Sequence, residues 1–459
     1  MAFAATHVWE VQTGGLDTNG GGFNPGNANM ATDGAATSAT GNSPVFTSAS
    51  YNFVAGDVGA FVFIKAGTNW TFGWYEIASV ASNAATLKAA IGQASVRGST
   101  TQLAGPNTVA GCATTASPTG ATWSVDYSMQ GAAEIAFIDL VIDNTTNTIA
   151  TSSAFPFGKN YVGNTINITA GTGFTVQRVE VSSVNLTGNK ATCDKSLGTL
   201  SSTGGTGDLG GALLTIAAAL TLSTVDQMMV SLKSGTYVIT TALSPPNRAG
   251  DRRTRLTGYN AVRGDITGTT GRPIISVTAA VNGLTPAGGW TFENLEIDGT
   301  STGVKGVVPS ASDQFGLLFN CRIHHFTGLG FDSASSYWSL LQCEVDHTTG
   351  VNLGAIASAV ERSYIHDNTG PGIVALDASR IIGNVIANNT GASSDGVRPN
   401  FATTVRDNVI YGNGRDGIRA AATYSLAMGA GQIVNNILMN NTGYGINQPT
   451  AQTHGDFPW

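Results

Sequence analysis

Seven segments between Asn294 and Met439 are variants of one phrase. Asn294-Leu-Glu-Ile-Asp, Asn320-Cys-Arg-Ile-His, Gln342-Cys-Glu-Val-Asp, Arg362-Ser-Tyr-Ile-His, Gly383-Asn-Val-Ile-Ala, Asp407-Asn-Val-Ile-Tyr and Asn435-Asn-Ile-Leu-Met can be written one beneath another. Their anchors, Ile297, Ile323, Val345, Ile365, Ile386, Ile410 and Leu438, stand 26, 22, 20, 21, 24 and 28 residues apart. That period belongs to stacked single-turn repeats. Each segment alternates in and out with period two and is bounded too closely by Asn and Gly to be a helix. The repeat is therefore one coil of a β-solenoid.

A second apolar landmark follows in each coil at Phe331, Leu353, Ile373, Val397, Ile418 and Ile446, so every coil carries at least two strands separated by a turn. The position two before each anchor also points inward and reads Leu295, Cys321, Cys343, Ser363, Asn384, Asn408, Asn436. The three successive asparagines predict an amide ladder, each side chain bonding to the next coil about 4.8 Å away. With these features the chain resembles the right-handed parallel β-helix superfamily, which includes pectate lyases and the spikes of tailed bacteriophages. The expected fold class is all-β, a right-handed parallel β-helix preceded by two copies of a small β-rich repeat.

Composition agrees: charged residues make up 11% of the chain and Gly contributes 59 of 459 residues, as many short strands with many turns require. The net charge of −7, with no basic run beyond the arginines between Arg248 and Arg272, speaks against a nucleic-acid partner. That arginine cluster reads as a solvated loop. Cys112, Cys193, Cys321 and Cys343 lack CxxC spacing, which argues against structural zinc. Cys321 and Cys343 stack in neighbouring coils, as buried thiols or as a disulfide. The first residues show neither a basic start nor a long apolar run, and nothing later reaches eighteen consecutive apolar residues. No export signal and no membrane span are expected.

The first 210 residues hold a different repeat. Phe53-Val-Ala-Gly-Asp-Val-Gly through Glu76-Ile-Ala-Ser-Val matches Phe157-Gly-Lys-Asn-Tyr-Val-Gly through Glu180-Val-Ser-Ser-Val at an offset of 104. Each copy reads as several strands with Gly turns, placed before the solenoid or projecting from its early coils. Ala212 to Leu220 has a short helical pattern, followed by a strand from Met229. This looks like the helix-then-strand opening in which a helix covers the exposed end of the apolar stack. The expected organisation is 1–104 with the first copy, 105–211 with the second and 212–459 as the β-helix.

Val8-Trp-Glu-Val-Gln-Thr-Gly-Gly with Asp17-Thr-Asn-Gly-Gly-Gly-Phe, the paired Val-Gly and Gly-Thr-Gly blocks, and Leu256-Thr-Gly-Tyr-Asn-Ala-Val-Arg-Gly-Asp are similar to phrases of β-helix structural proteins of tailed phages, of tailspike or decoration type. The resemblance implies a virion protein made in the host cytoplasm without a signal peptide and extracellular after lysis. Its partners would be other capsid or tail proteins and host surface polysaccharide. The chain departs from tailspikes in lacking a recognisable particle-binding head domain and a longer β-helix. Only the duplicated element is left for the head domain's part.

The outward rows carry the functional candidates. One after each anchor stand Asp298, His324, Asp346, His366, Ala387, Tyr411 and Met439, and one before it Glu296, Arg322, Glu344, Tyr364, Val385, Val409 and Ile437. In the upper coils opposite charges alternate between rungs, so that like charges do not stack. In the lower coils Val385, Val409, Tyr411, Ile437 and Met439 form an apolar outer strip that marks a partner surface. Parallel association of three chains would bury it, as the phage resemblance implies, and a homotrimer is expected. The alternative cover is the tail ending Asp456-Phe-Pro-Trp459.

Alternating charge on a parallel sheet needs no catalytic explanation. The competing reading is a polysaccharide-degrading enzyme. Glu344 and Asp346 lie about 6.5 to 7 Å apart by strand rise, near the carboxylate spacing of an inverting glycosidase, and His324 stands with them. Arg322, Tyr337, Trp338, Tyr364 and His366 would hold the glycan. A pectate-lyase-like calcium site is disfavoured because the acids are interleaved with His and Arg. His324 and His325 are consecutive, so in a strand they point to opposite faces. No metal and no cofactor are expected. Asp395-Gly-Val-Arg398 and Asp416-Gly-Ile-Arg419 repeat on adjacent coils and read as ion pairs, and Arg263-Gly-Asp265 as loop residues without an adhesion role.

Overall fold

The computed structural model describes residues 3–26, 31–36, 45–68, 70, 72–88, 119–248, 254–266, 268–310, 315–333, 337–353, 358–376, 378–400, 402–420 and 432–447. Cys112, His454 and the tail Asp456 to Trp459 lie outside them. Two compact units emerge, residues 1–235 with 258–271 and residues 236–257 with 272–459. The boundary expected at residue 212 falls inside the first. The described part is all-β, with a right-handed β-solenoid of about eight coils.

In the second unit every phrase is the middle strand of a coil. The first sheet stacks Trp290–Glu293, Phe315–Phe319, Tyr337–Leu341, Ala359–Glu361, Arg380–Ile382, Thr404–Arg406 and Gln432–Val434 in parallel. The second stacks Glu296–Asp298, Arg322–His324, Glu344–Asp346, Tyr364–His366, Val385–Ala387, Val409–Tyr411 and Ile437–Met439, with all seven anchors in register and fully or largely buried. A third sheet runs from Phe331–Asp332 to Ile446–Asn447. Each coil thus carries three strands, in keeping with the minimum of two that the pattern required. In the shortest coil the aligned third-sheet residue is Val351, not Leu353, because the turn at Gly350 (φ 107°) is two residues tighter.

Both corners of the second sheet are made the same way, by one residue in the left-handed region followed by an inward side chain, which is Asn in the lower coils. Before the sheet stand Asn294, Asn320, Gln342, Arg362, Gly383, Asp407 and Asn435, with φ from 51° to 67°. After it stand His325, His347, Asp367, Asn388, Gly412 and Asn440, with φ from 50° to 64°. The expected ladder follows the first corner. Asn384 Nδ2 donates to Asn408 Oδ1 (3.0 Å) and to the Val360 carbonyl (2.8 Å), and Asn408 repeats this with Asn436 (2.9 Å) and Ile381 (2.9 Å). Each amide therefore ties three coils. A second ladder, which the sequence reading missed, follows the other corner through Asn368, Asn389, Asn413 and Asn441 (2.8 to 3.0 Å). Its signal was the recurring Asp367-Asn-Thr-Gly, Asn388-Asn-Thr-Gly and Asn440-Asn-Thr-Gly.

In the first unit the duplicated element is a pair of closed six-stranded barrels with the same strand order. Gly73–Ala81 of the first answers Gln177–Asn185 of the second at the offset of 104 read from the sequence. One apolar core runs through both, including Phe46, Trp123, Phe137 and Phe157. The barrels lie in the chain between Val8–Val11 and Met229–Lys233, which pair in parallel. The short helix Ile216–Leu222, capped by Thr215, contacts both of these strands.

Three members of the arginine cluster are not solvated: Arg248, Arg263 and Arg272 are buried, while Arg255 is exposed. Arg263 donates to Glu10 (2.8 Å), Asp126 (2.7 Å) and Ser128 (3.1 Å), while Tyr259 Oη donates to the other Glu10 oxygen and Trp74 Nε1 to Asp126 (2.9 Å). Asp265 accepts from the backbone of Asn260, Ala261 and Val262 and so fixes the same loop (2.6 to 2.9 Å). Burial pushes the Glu10 carboxyl up to about 7 although Arg263 and Tyr259 oppose the shift. The buried pair resists replacement of one member because the other would be left uncompensated.

Two outcomes follow. Asn408→Ala removes four interior hydrogen bonds and strands the amide of Asn384, so equilibrium urea unfolding should show a loss of about 2–4 kcal/mol. Arg263→Met should cost about 3–5 kcal/mol at pH 8. Because the Glu10 pKa is raised in the fold, protonation favours the folded state, and stability rises as pH falls through about 7 toward 4.5. The deficit of Arg263→Met should shrink over that range in the same measurement.

Candidate functional site

The candidates on the second sheet are bound to one another by a diagonal rule. The residue before the anchor of one coil reaches the residue after the anchor of the next. Glu296 Oε1 meets His324 Nε2 at 3.0 Å, Arg322 grips both oxygens of Asp346 at 3.0 and 2.9 Å, and Glu344 Oε1 meets His366 Nε2 at 3.2 Å. The sign alternates down the sheet, as predicted for a parallel stack. The row expected to face solvent is largely covered: His324, Asp346, His366 and Ala387 are buried. Arg322 lies across Asp346, and the Tyr364 ring stacks on His366 with centroids 3.7 Å apart.

This geometry corrects the catalytic expectation for Glu344 and Asp346. One oxygen of each lies within 4.8 Å of the other, and both carboxylates are engaged by basic neighbours, Asp346 by Arg322 and Glu344 by His366. A hydrogen bond with His366, against the opposing effect of burial, holds Glu344 below the usual carboxylate value. Burial pushes Asp346 up but is outweighed by hydrogen bonds from Arg322 and His347, so it too lies low. A general acid needs a raised pKa, and neither carboxyl has one. His324 is held between Glu296 and His325.

The glycan-binding candidates are not gathered on one face. Tyr337 and Trp338 belong to the first sheet, Arg322, Tyr364 and His366 to the second. Trp338 is fully buried, stacked near Phe292 at 5.8 Å, and an added Cβ on Gly316 would collide with its indole. It cannot offer a ring face to a sugar. Tyr337 pairs with the exposed Phe315, centroids 5.0 Å apart, an outer aromatic pair that the sequence reading overlooked. The repeated Asp-Gly-x-Arg motif does pair. Arg398 Nε reaches Asp395 at 2.5 Å, Arg419 reaches Asp416 at 3.1 Å, and Arg415 clamps Asp395 from the next coil. Of the apolar strip, Ile437 and Met439 are 54% and 47% exposed, while Val385, Val409 and Tyr411 are half-buried.

Among the described residues, two groups present three ligand-type atoms within 4.8 Å of one another, Asp298 with His324 and His325, and Glu344 with Asp346 and His366. The first overturns the expectation that His324 and His325 face apart. The strand ends at His324, and His325, at φ 55°, turns its ring back so that the two Nδ1 atoms stand 2.6 Å apart.

Comparison with known proteins agrees with the coil architecture. The family described as right handed beta helix region matches residues 280–453. Among solved structures, pectate lyase Pel9A is similar at 14% identity over 53% of this chain and 77% of its own, with a TM-score of 0.38. The catalytic domain of a GH87 alpha-1,3-glucanase in complex with nigerose is 12% identical over 71% and 69%, TM-score 0.33. ORF18 of Geobacillus virus E2 is 13% identical over 48% and 54%, TM-score 0.28. No curated protein sequence matches significantly.

The diagonal pairs predict a pH window. Burial lowers the pKa of His366, but its hydrogen bonds to Glu344 and Asp367 outweigh this and raise it above 6.5. Its contribution is therefore full below 6.5 and lost as pH rises through the folded value. Glu344, lowered from 4.5, contributes above 4.5 and loses this as pH falls. The melting-temperature deficit of His366→Gln should be greatest between pH 4.5 and 6.5 and fade toward pH 8.

Proposed function

We propose that this protein is a structural component on the outside of a tailed-phage virion, a capsid decoration or tailspike-like appendage. It adds stability or host-glycan adsorption rather than catalysis. The observation that carries this reading is the diagonal ladder. Glu296, Arg322, Glu344 and Asp346 are each engaged by a partner in a neighbouring coil. Both amide ladders serve the same end, a stiff rod whose coils are bonded side chain to side chain. The sequence phrases around Val8, Asp17 and Leu256 supply the setting, and with it extracellular location after lysis and attachment to other virion proteins. Ile437 and Met439, the most exposed of the strip, are the centre of the proposed homotrimer contact. Tyr364 and the Phe315–Tyr337 pair are aromatic surfaces open to glycan contact.

Light scattering on the purified chain should give three times the chain mass, and Ile437→Glu should give one chain mass with unchanged circular dichroism. A monomeric wild type would remove the trimer. Cleavage of host surface polysaccharide that is lost in Glu344→Gln would replace the structural reading with an enzymatic one.

A further inference from the structure

We infer that Asp298, His324 and His325 form a binding site for a divalent transition-metal cation of the Zn²⁺ type, bridging two successive coils at the corner after the second sheet. His324 Nδ1 and His325 Nδ1 are 2.6 Å apart, and Asp298 Oδ1 lies 3.7 Å from the first and 3.4 Å from the second. A single point about 2 Å from all three atoms satisfies those distances, which is the bonding distance of Zn²⁺ to imidazole nitrogen and carboxylate oxygen.

The outer contacts of each donor turn the three inner atoms toward one another, and the two Nδ1 atoms share one hydrogen bond whose proton the cation would displace. His324 Nε2 donates to Glu296, so its proton sits on the far nitrogen and the Nδ1 lone pair points at the site. This is the carboxylate–histidine arrangement that orients metal ligands. Asp298 Oδ1 is oriented by the backbone N–H of Thr300 at 2.9 Å. His325 is brought in by its left-handed backbone, at a corner where lower coils use Asp367, Asn388, Gly412 and Asn440. Asp298 and His325 are partly open to solvent, with side chains 24% and 43% exposed, so the fourth position falls to water. Two imidazoles and one carboxylate suit Zn²⁺, Ni²⁺ or Co²⁺ and not Ca²⁺ or Mg²⁺, which require more oxygen ligands. The other triad lacks this character. Both oxygens of Asp346 are held by Arg322, whose positive charge opposes a cation.

The test is calorimetric titration of the untagged, chelator-stripped full chain with Zn²⁺, with a parallel Co²⁺ titration that reads the visible absorption of a low-coordinate ion. One site per chain and a Co²⁺ band are expected. His325→Asn, chosen because Asn accepts the left-handed backbone, should abolish both without lowering the melting temperature of the metal-free protein. Glu296→Ala should weaken binding by roughly tenfold or more, and His366→Gln should bind as the wild type does. Absence of Zn²⁺ binding by the wild type, or unchanged binding by His325→Asn, overturns the site. Loss of binding in His366→Gln with retention in His325→Asn would overturn it too, placing the ion at Glu344 and Asp346.

Discussion

Parallel in-register stacking governs nearly everything in the second unit. Each side chain meets its equivalent in the next coil at about 4.8 Å, so any property placed on one rung is multiplied along the row. Apolar rows gain from this, and so do amides, which carry donor and acceptor together. Identical charges do not. The rows of this solenoid are the solutions to that condition: aliphatic anchors, two asparagine ladders, and a charged face whose sign alternates and whose partners are displaced diagonally by one coil.

The same condition explains what was legible in the sequence. Register of the anchors and the first amide ladder follow from spacing alone, because stacking copies the pattern of one coil onto the next. Alternation of sign was likewise visible between Glu296, Arg322 and Glu344. The readings that failed did so where strand alternation stops. His325 sits one residue past the strand, and its left-handed backbone reverses the direction that a two-residue period assigns. Trp338 was read as a glycan contact, but it is a buried residue of the first sheet and fills space opened by Gly316. Arg263 looked like loop charge because its two carboxylate partners are more than a hundred residues away, a distance at which local pattern carries no information.

The candidate site shows how placement and availability differ. Sequence located Glu344, Asp346 and His366 correctly as neighbours on one face, yet neighbours on a stacked face are also each other's nearest counter-charges. Burial of Asp346 beneath Arg322 converts a constellation that resembles acid and base into a lattice of satisfied ions. The His324–His325 corner escapes this because there the lattice delivers three donors and no cation.

The parallel pairing of Val8–Val11 with Met229–Lys233 sets an order of events during synthesis. The first strand waits for a partner that leaves the ribosome roughly 220 residues later, a closure whose entropic cost grows with the length of chain between the ends. The two barrels occupy that interval and share one core, so their folding draws the two strands together before either can pair. Glu10 waits longer still, for Arg263. Until residue 263 has been made, the carboxylate of Glu10 lacks the guanidinium that compensates its charge.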